Sequence, residues 1–474
     1  MSLPAVPEGR LHLVKDPKLR GISSLSHCFG RRTARPSRII PRAAQRNKTT
    51  KLQPRQASTG KRSGQAEIDE VPFFDRFHNS ITGFPFPLGP FLQRRTIRKQ
   101  VDKGRLWLFE QEQTLGGSNV TTVIRMTVLK LNSGNLWVHA PVAPTRQCVR
   151  LVKELGLPVE FIVLPTFAYE HKIFLGPFAR SFPNAKVWIA PRQWSWPLPL
   201  PVQFFGIFPT GGTITEDDQE LPWSDEIQHK IFISAIGGAS AGVGPYVEVV
   251  FLHKQSKTLI VTDAVVCVPP SPPQVVRTAN LLEAGSPLPG LIRGLSSLDD
   301  DRGFKDKFLD GEMEQPAESE EAQVQLGWKR MALQILYFVP GNLLNPESSF
   351  RALSERLVVS PVLQTLVYSK NPEGARQWVD KVTSEWSFKR VIPAHFDAPV
   401  AAGPKDFRQA FQFLWDMKNN LPTQASSVEA QQQQNLLARL FSRKPQEPFR
   451  PPASDMRALN GLENVLTKAG VFSK

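Results

Sequence analysis

Residues 159–171 read Val159-Glu160-Phe161-Ile162-Val163-Leu164-Pro165-Thr166-Phe167-Ala168-Tyr169-Glu170-His171, and this stretch decides the fold. Phe161 to Leu164 is an unbroken run of branched and aromatic residues, the composition of a strand covered on both faces. The run stops at Pro165 and the chain turns. The loop beyond such a strand is where α/β architectures carry their chemistry. Glu170 and His171, a carboxylate beside an imidazole, are therefore the first candidate functional residues.

Upstream, Thr121 to Leu131 has strand composition, Ser133-Gly134 marks a turn, and Leu136 to His139 is a second strand, which makes a hairpin. Ala140 to Pro144 is a loop. Thr145 then caps a helix with Cys148, Val149, Val152 and Leu155 on one face, ended by Gly156. Downstream, the spacing predicts a short helix over Pro177–Ser181 and a strand over Ala185–Ala190. A hairpin followed by helix, strand, loop and strand is the front half of an αββα sandwich.

The idiom recurs. Strands are expected at Lys230–Ser234 and Tyr246–His253, joined by a glycine-rich turn at 237–244. A further strand, Thr258–Thr262, ends at Asp263. The last, Phe388–Ile392, runs into Pro393-Ala394-His395. Helices are expected at Trp328–Phe338, Phe350–Leu357, Pro372–Ser384 and Phe407–Met417. Residues 67–105 are aromatic, proline-rich and irregular, and are expected to wrap the surface; 191–209 form an aromatic, proline-rich loop. Its Trp194 and Trp196 would form a substrate lip or pack on the core. Glu248 and His253 fall on opposite faces of one strand, and His253, at a Lys-Gln-Ser-Lys turn, reads as structural.

Residues 297–325 are acidic and polar, a disordered insertion by composition. Residues 421–474 form a tail with a Gln run at 431–434 and an amphipathic helix from Ser454, presenting Met456, Leu459, Leu462 and Leu466 on one face.

The net charge of +15 is unevenly spread. Residues 1–66 hold fifteen Lys/Arg against Glu8 and Asp16, which leaves +2 for the rest. A nearly neutral body lacks the basic face that a phosphate backbone requires, so nucleic acid is not expected as a partner. The Arg- and Ser-rich, acid-poor amino end has the composition of an organellar transit peptide; a retained basic tail is the alternative. No apolar run reaches the roughly 18 residues of a membrane span. The longest, at 198–212 and 331–345, are broken by Pro201, Pro209 and Pro340, and the chain is expected to be soluble. Cys28, Cys148 and Cys267 show no CxxC spacing, so no cysteine zinc site or disulfide framework is indicated.

In the metallo-β-lactamase superfamily a strand of this kind runs into the motif HxHxDH, which supplies ligands to two adjacent metal ions. Placed without a gap, the motif falls on Thr166 to His171. Thr166 and Ala168 stand where its first two histidines would be, Glu170 replaces the aspartate, and His171 is kept. Asp263 resembles the metal-bridging aspartate and His395 the closing histidine, while the turn at 237–244 has no histidine. His139 stands where the superfamily usually has an acid. The segments LGLPVEFIVLPTFAYEHKIFLGPFARSFPNAKVW, EVVFLHKQSKTLIVTDAVV, GWKRMALQILYFVP and RVIPAHFDAPV resemble an uncharacterised family of photosynthetic organisms, a domain of unknown function.

The resemblance implies an α+β fold, a metallo-β-lactamase-like αββα sandwich over 67–420 with additional carboxyl-terminal helices. It also implies a plastid address for 1–66, with the mitochondrion as alternative. Its losses fall on the first metal position. The second keeps Glu170, His171, Asp263 and His395, a donor set adequate for one zinc, iron or manganese ion. The structural alternative is that His171 caps a helix, Asp263 holds a turn and His395 packs against Phe396. Two functional classes follow: a mononuclear metal-dependent hydrolase, or a non-catalytic plastid binding or assembly protein whose carboxyl-terminal helices meet a protein partner.

Overall fold

The computed structural model describes residues 71–79, 91–114, 120–195, 200–216, 221–235, 244–287, 317–337, 343–418 and 448–468. The expected import segment, Trp196, residues 237–243 of the glycine-rich turn, the acidic stretch through 316 and the Gln run lie outside the described residues.

Seven strands form the larger sheet in chain order: β1 (Thr96–Asp102), β2 (Leu106–Thr114), β3 (Thr121–Lys130), β4 (Leu136–His139), β5 (Val159–Leu164), β6 (Lys186–Ile189) and β7 (Gly212–Thr213). β1 to β4 pair antiparallel, β4 to β7 parallel. The connections dictate the change of sense. A tight turn through Gly134 can only return the chain antiparallel, whereas α1 (Arg146–Lys153) and α2 (Tyr169–Ser181) carry it back over the sheet for parallel pairing. The smaller sheet pairs β8 (Ile227–Ser234), β9 (Tyr246–His253) and β10 (Thr258–Ile260) antiparallel; β11 (Arg390–Ile392) then lies parallel to β10.

Alternation along the strands sets the layers. Leu106 and Leu108 of β2 and Val247, Val249 and Phe251 of β9 meet between the two sheets. Trp107 and Phe109 face the other way, onto Cys148 and Val152 of α1 and Phe174 and Phe178 of α2. Val250 and Leu252 pack against the helices on the far side of the smaller sheet. Two mixed sheets packed face to face between helical layers are the expected metallo-β-lactamase-like αββα sandwich. The added helices include α3 (Thr278–Ala284), α4 (Glu320–Tyr337), α5 (Pro361–Leu366), α6 (Pro372–Glu385) and α7 (Ala453–Lys468).

Several expectations need correction. Residues 67–105 are not irregular throughout: Phe77–Asn79 pairs with Phe91–Gln93, and β1 is an edge strand whose exposed Arg98 and Gln100 and half-buried Lys99 disguise it. β2 was hidden differently, because Glu110, Gln111, Glu112 and Gln113 are all buried in it. α2 starts at Tyr169 rather than Pro177, so Glu170 and His171 stand in a helical first turn and not in a loop. Gly176 lets this helix lie on neighbouring backbone; a Cβ there would be 2.5 Å from the carbonyl oxygens of Phe205 and Gly206. α4 begins at Glu320, so 320–325 are helical rather than part of a disordered insertion. Acids in a first turn suit the positive end of the helix dipole, and the buried Arg330 guanidinium ties α4 to the carbonyls of Leu343 and Ser286. The helix expected over Phe350–Leu357 ends at Leu353, and Phe407–Met417 divides into Pro404–Ala410 and Phe413–Lys418.

The space between the sheets also holds charge. Glu110 and Arg125 are cross-strand partners, and Arg125 donates through Nε (3.0 Å) and Nη2 (2.8 Å) to one Glu110 oxygen. The rest of the guanidinium reaches the main-chain oxygens of Pro393 and Phe396, both at 2.5 Å, while Lys99 takes the other Glu110 oxygen at 2.7 Å. Both partners of the Arg125–Glu110 pair are almost fully buried. Arg125→Met would strand the carboxylate and the turn carbonyls, and is expected to cost about 3–5 kcal/mol in urea unfolding. The double variant with Glu110→Leu should recover part of that, since no lone charge remains; a single variant as stable as the parent would refute the burial argument.

His139 lies in the same layer, 5.8 Å from the Trp137 ring and 5.6 Å from Phe251, with neither ring nitrogen hydrogen-bonded among the described residues. Burial, helped by His171, lowers its pKa from 6.5 to about 3. The folded-state pKa is depressed, so on acidification the unfolded chain takes the proton first. The contribution is whole above pH 6.5 and is lost progressively as pH falls below it. His139→Leu should flatten the fall in unfolding free energy between pH 6 and 4 by about 1.4 kcal/mol per pH unit. An unchanged slope in denaturant titrations would show that His139 protonates equally in both states.

Candidate metal centre

Parallel pairing of β10 with β11 places Ile260 beside Ile392. Asp263 follows the first by three residues and His395 follows the second by three, so the two strand ends deliver these side chains side by side. His395 Nε2 lies 3.2 Å from Asp263 Oδ1. The end of β5 delivers the rest: Ala168 opens α2, and the first helical turn directs Glu170 and His171 to the same point. One donor atom from each of Glu170, His171, Asp263 and His395 lies within 4.8 Å of all the others. With bonds of about 2.0–2.2 Å, donors opposite each other across an ion stand roughly 4 Å apart, slightly closer than this set.

The donor set fits a cation on two counts. His171 is fully buried, yet neither ring nitrogen has a hydrogen-bond partner among the described residues. The second concerns His395, whose Nδ1 is 2.8 Å from the Val123 carbonyl. A carbonyl only accepts, so Nδ1 carries the proton and Nε2 faces the Asp263 carboxylate. That contact needs either an imidazolium or a cation between them. Of the structural alternatives, no hydrogen bond of the His171 ring is found among the described residues, and His395 turns its Nε2 to Asp263.

Electrostatics separate the four groups. Burial, then the neighbouring His395, lowers His171 to about 3 against the pull of Asp263, which keeps the imidazole neutral as ligation requires. Burial and the Asp263 charge push Glu170 above the ordinary carboxylate range. Burial opposes charge on both Asp263 and His395, but their mutual hydrogen bond outweighs it, lowering the acid and raising the imidazole.

A group that sequence reading had not placed in the site is Glu248. Fully buried in β9, it accepts the Thr262 N–H at 2.7 Å and the Ala264 N–H at 3.4 Å on Oε1, and the Asp263 N–H at 3.3 Å on Oε2. Burial and Asp263 raise its pKa to about 7. The signal was an acid inside the otherwise apolar run Val247 to Leu252. His253, by contrast, hydrogen-bonds Ser256 at 2.7 Å in its turn, the structural role expected of it.

Thr166 and Ala168, at the first metal position of the resemblance, behave differently from each other. Thr166 is fully buried and accepts the Ala168 N–H on its hydroxyl at 3.2 Å, while Ala168 lines a cleft. That cleft, about 410 Å³, opens over Glu170, Asp263 and His395. Trp194 is no lip to it: the ring stacks on Phe167 at 5.2 Å and donates to the Pro245 carbonyl at 2.8 Å.

Among solved structures, a metallo-β-lactamase from Pontibacter korlensis is 13% identical, with 68% of this chain and 100% of that one covered at a TM-score of 0.31. The Flv1 flavodiiron core of Synechocystis sp. PCC6803 is 8% identical, with 69% and 62% covered at 0.36. A putative diflavin flavoprotein A 5 fragment from Nostoc sp. PCC 7120 is also 8% identical, with 69% and 99% covered at 0.35. No curated protein matches the sequence significantly. Residues 103–348 and 344–413 match the family described as Domain of unknown function (DUF4336), and the chain belongs to that family.

Proposed function

We propose that this protein is a mononuclear metal-dependent hydrolase, or an enzyme of related chemistry, in which Glu170, His171, Asp263 and His395 hold one zinc, iron or manganese ion. The observation that carries the reading is the convergence of these donors at the floor of an open cleft, with the His171 ring otherwise unpartnered. Such an ion would supply acidity to a coordinated water at neutral pH. The chain's own part is to orient the donors. The Val123 carbonyl fixes the His395 tautomer, Glu248 secures the backbone of the Asp263 turn, and Arg125 secures the backbone around His395. The first metal position is taken as lost, since Thr166 spends its hydroxyl on local backbone.

Purified protein should carry about one ion per chain, and a chelator should lower its melting temperature. His395→Ala should weaken retention by at least about 10–100-fold, the range known even for outer-shell partners. A protein that is metal-free and indifferent to chelator would replace this reading with the non-catalytic one, in which the fold serves binding or assembly. The exposed Leu462 and Val465 of α7 would then be the first place to seek a partner.

Residues 1–66 are further proposed to direct import into the chloroplast, with the mitochondrion as runner-up. Their acid-poor, Arg- and Ser-rich composition supports this. Amino-terminal sequencing of native protein should begin near residue 66; an intact Met1 would refute the proposal.

A further inference from the structure

We infer that the cleft above the candidate metal centre binds a neutral carboxylic ester with an apolar body, and rejects anionic ligands of the same size. The inference builds on the metal-centre reading for the ester's position, but stands on the cleft walls for its charge and polarity. α4 contributes Leu336, α5 contributes Val362, Leu363 and Leu366, and Phe167 and Phe396 close the sides. The candidate donors Glu170, Asp263 and His395 line it too, and the remaining polar lining, Gln113, Thr122, Tyr169, Tyr246 and Ser360, is uncharged.

No Lys or Arg lines the cleft among the described residues. Two described cations of the elements around the centre are committed elsewhere: Lys172 donates to the Trp194 carbonyl and Arg125 is held by Glu110. A phosphate, sulfate or carboxylate entering here would be desolvated beside the Glu170 and Asp263 carboxyls, and among the described lining residues the one group able to carry positive charge, His395, is already turned to Asp263, so the burial is costly. Even with a divalent ion in place, Glu170 and Asp263 balance its charge, so the floor has nothing to spare for an anion. A neutral carbonyl carries no such penalty. Thr122 lines the same cleft at 3% exposure, and its hydroxyl has no hydrogen-bond partner among the described residues. It offers the kind of single neutral donor that an ester oxygen uses. At roughly 30 Å³ per water-sized group, the cleft's 410 Å³ suits a ligand of about a dozen non-hydrogen atoms, within the usual range for small-molecule sites.

The test uses the full chain and the neutral fluorophore N-phenyl-1-naphthylamine, displaced in parallel by methyl decanoate, decanoate and decyl phosphate. The ester should displace it at least about tenfold more tightly than either anion. Leu363→Trp, a half-buried position, should weaken probe binding by a similar factor, while Val465→Trp on α7 should not change it. Leu363→Arg should reverse the preference towards the anions, which separates filling of the cleft from misfolding. Equal or tighter displacement by the anions, or probe binding untouched by both Leu363 variants, would overturn the inference. The two readings fail separately. Chelator-sensitive, metal-bearing protein that shows no ester preference sinks only this inference. Metal-free protein that keeps the preference sinks only the hydrolase reading.

Discussion

The turn that carries His395 points carbonyl oxygens into the interior, and the turn that carries Asp263 points N–H groups there. Each is met by a buried ionisable side chain with the hydrogen-bonding character it needs. Arg125, from the larger sheet, donates to the carbonyls of Pro393 and Phe396; Glu248, from the smaller one, accepts the N–H groups of Thr262, Asp263 and Ala264. Neutral partners would not replace either, because a guanidinium offers five donors in a fixed fork and a carboxylate only accepts. Buried charges of this kind add little net stability over apolar packing, yet removing one partner is costly. Their contribution is therefore geometric. They fix two irregular turns, including Phe396 at a φ of +57°, where side-chain packing alone would leave several backbone groups unsatisfied.

How much of this could be read in the sequence depends on how local each determinant is. Strand β5 was legible because four apolar residues followed by Pro165 leave little choice, and α1 because Thr145 and Gly156 mark its ends. The candidate donors were legible through the resemblance together with strand-end position. Parallel pairing of β10 and β11 then brings Asp263 and His395 together, although a long stretch of chain separates them.

The rest was not legible, for reasons of long-range packing. Nothing near Glu110 announces that four polar residues in succession form a buried strand; their partners, among them Arg125, Arg277, Asn280 and Thr96, are distant in the chain. Pro177 reads as the start of a helix, but it lies inside α2, where the neighbouring Gly176 fits against the backbone of Phe205 and Gly206. Because the helix reaches back to Tyr169, the carboxylate and imidazole are held by helical geometry and not by a loop. That makes their mutual position more rigid than the sequence suggested.

The placement of the long connection between β10 and β11 changes what the added helices mean. By sequence they read only as additional helices of the domain spanning 67–420. In the fold, α4 and α5 leave the strand end that bears Asp263, build the apolar walls of the cleft, and return to the strand that bears His395. Burying apolar side chains against one another is favourable, about 25 cal/mol per Å², so the space these leave open is room that a ligand's apolar body could fill. Here they stop short of the floor, and the polar donors there stay in reach of a ligand while His171 behind them is sealed. Enclosure on the inner side and access on the outer side are what a centre acting on a bound small molecule requires. The walls, more than the donors alone, are therefore what the proposed metal-dependent reading rests on.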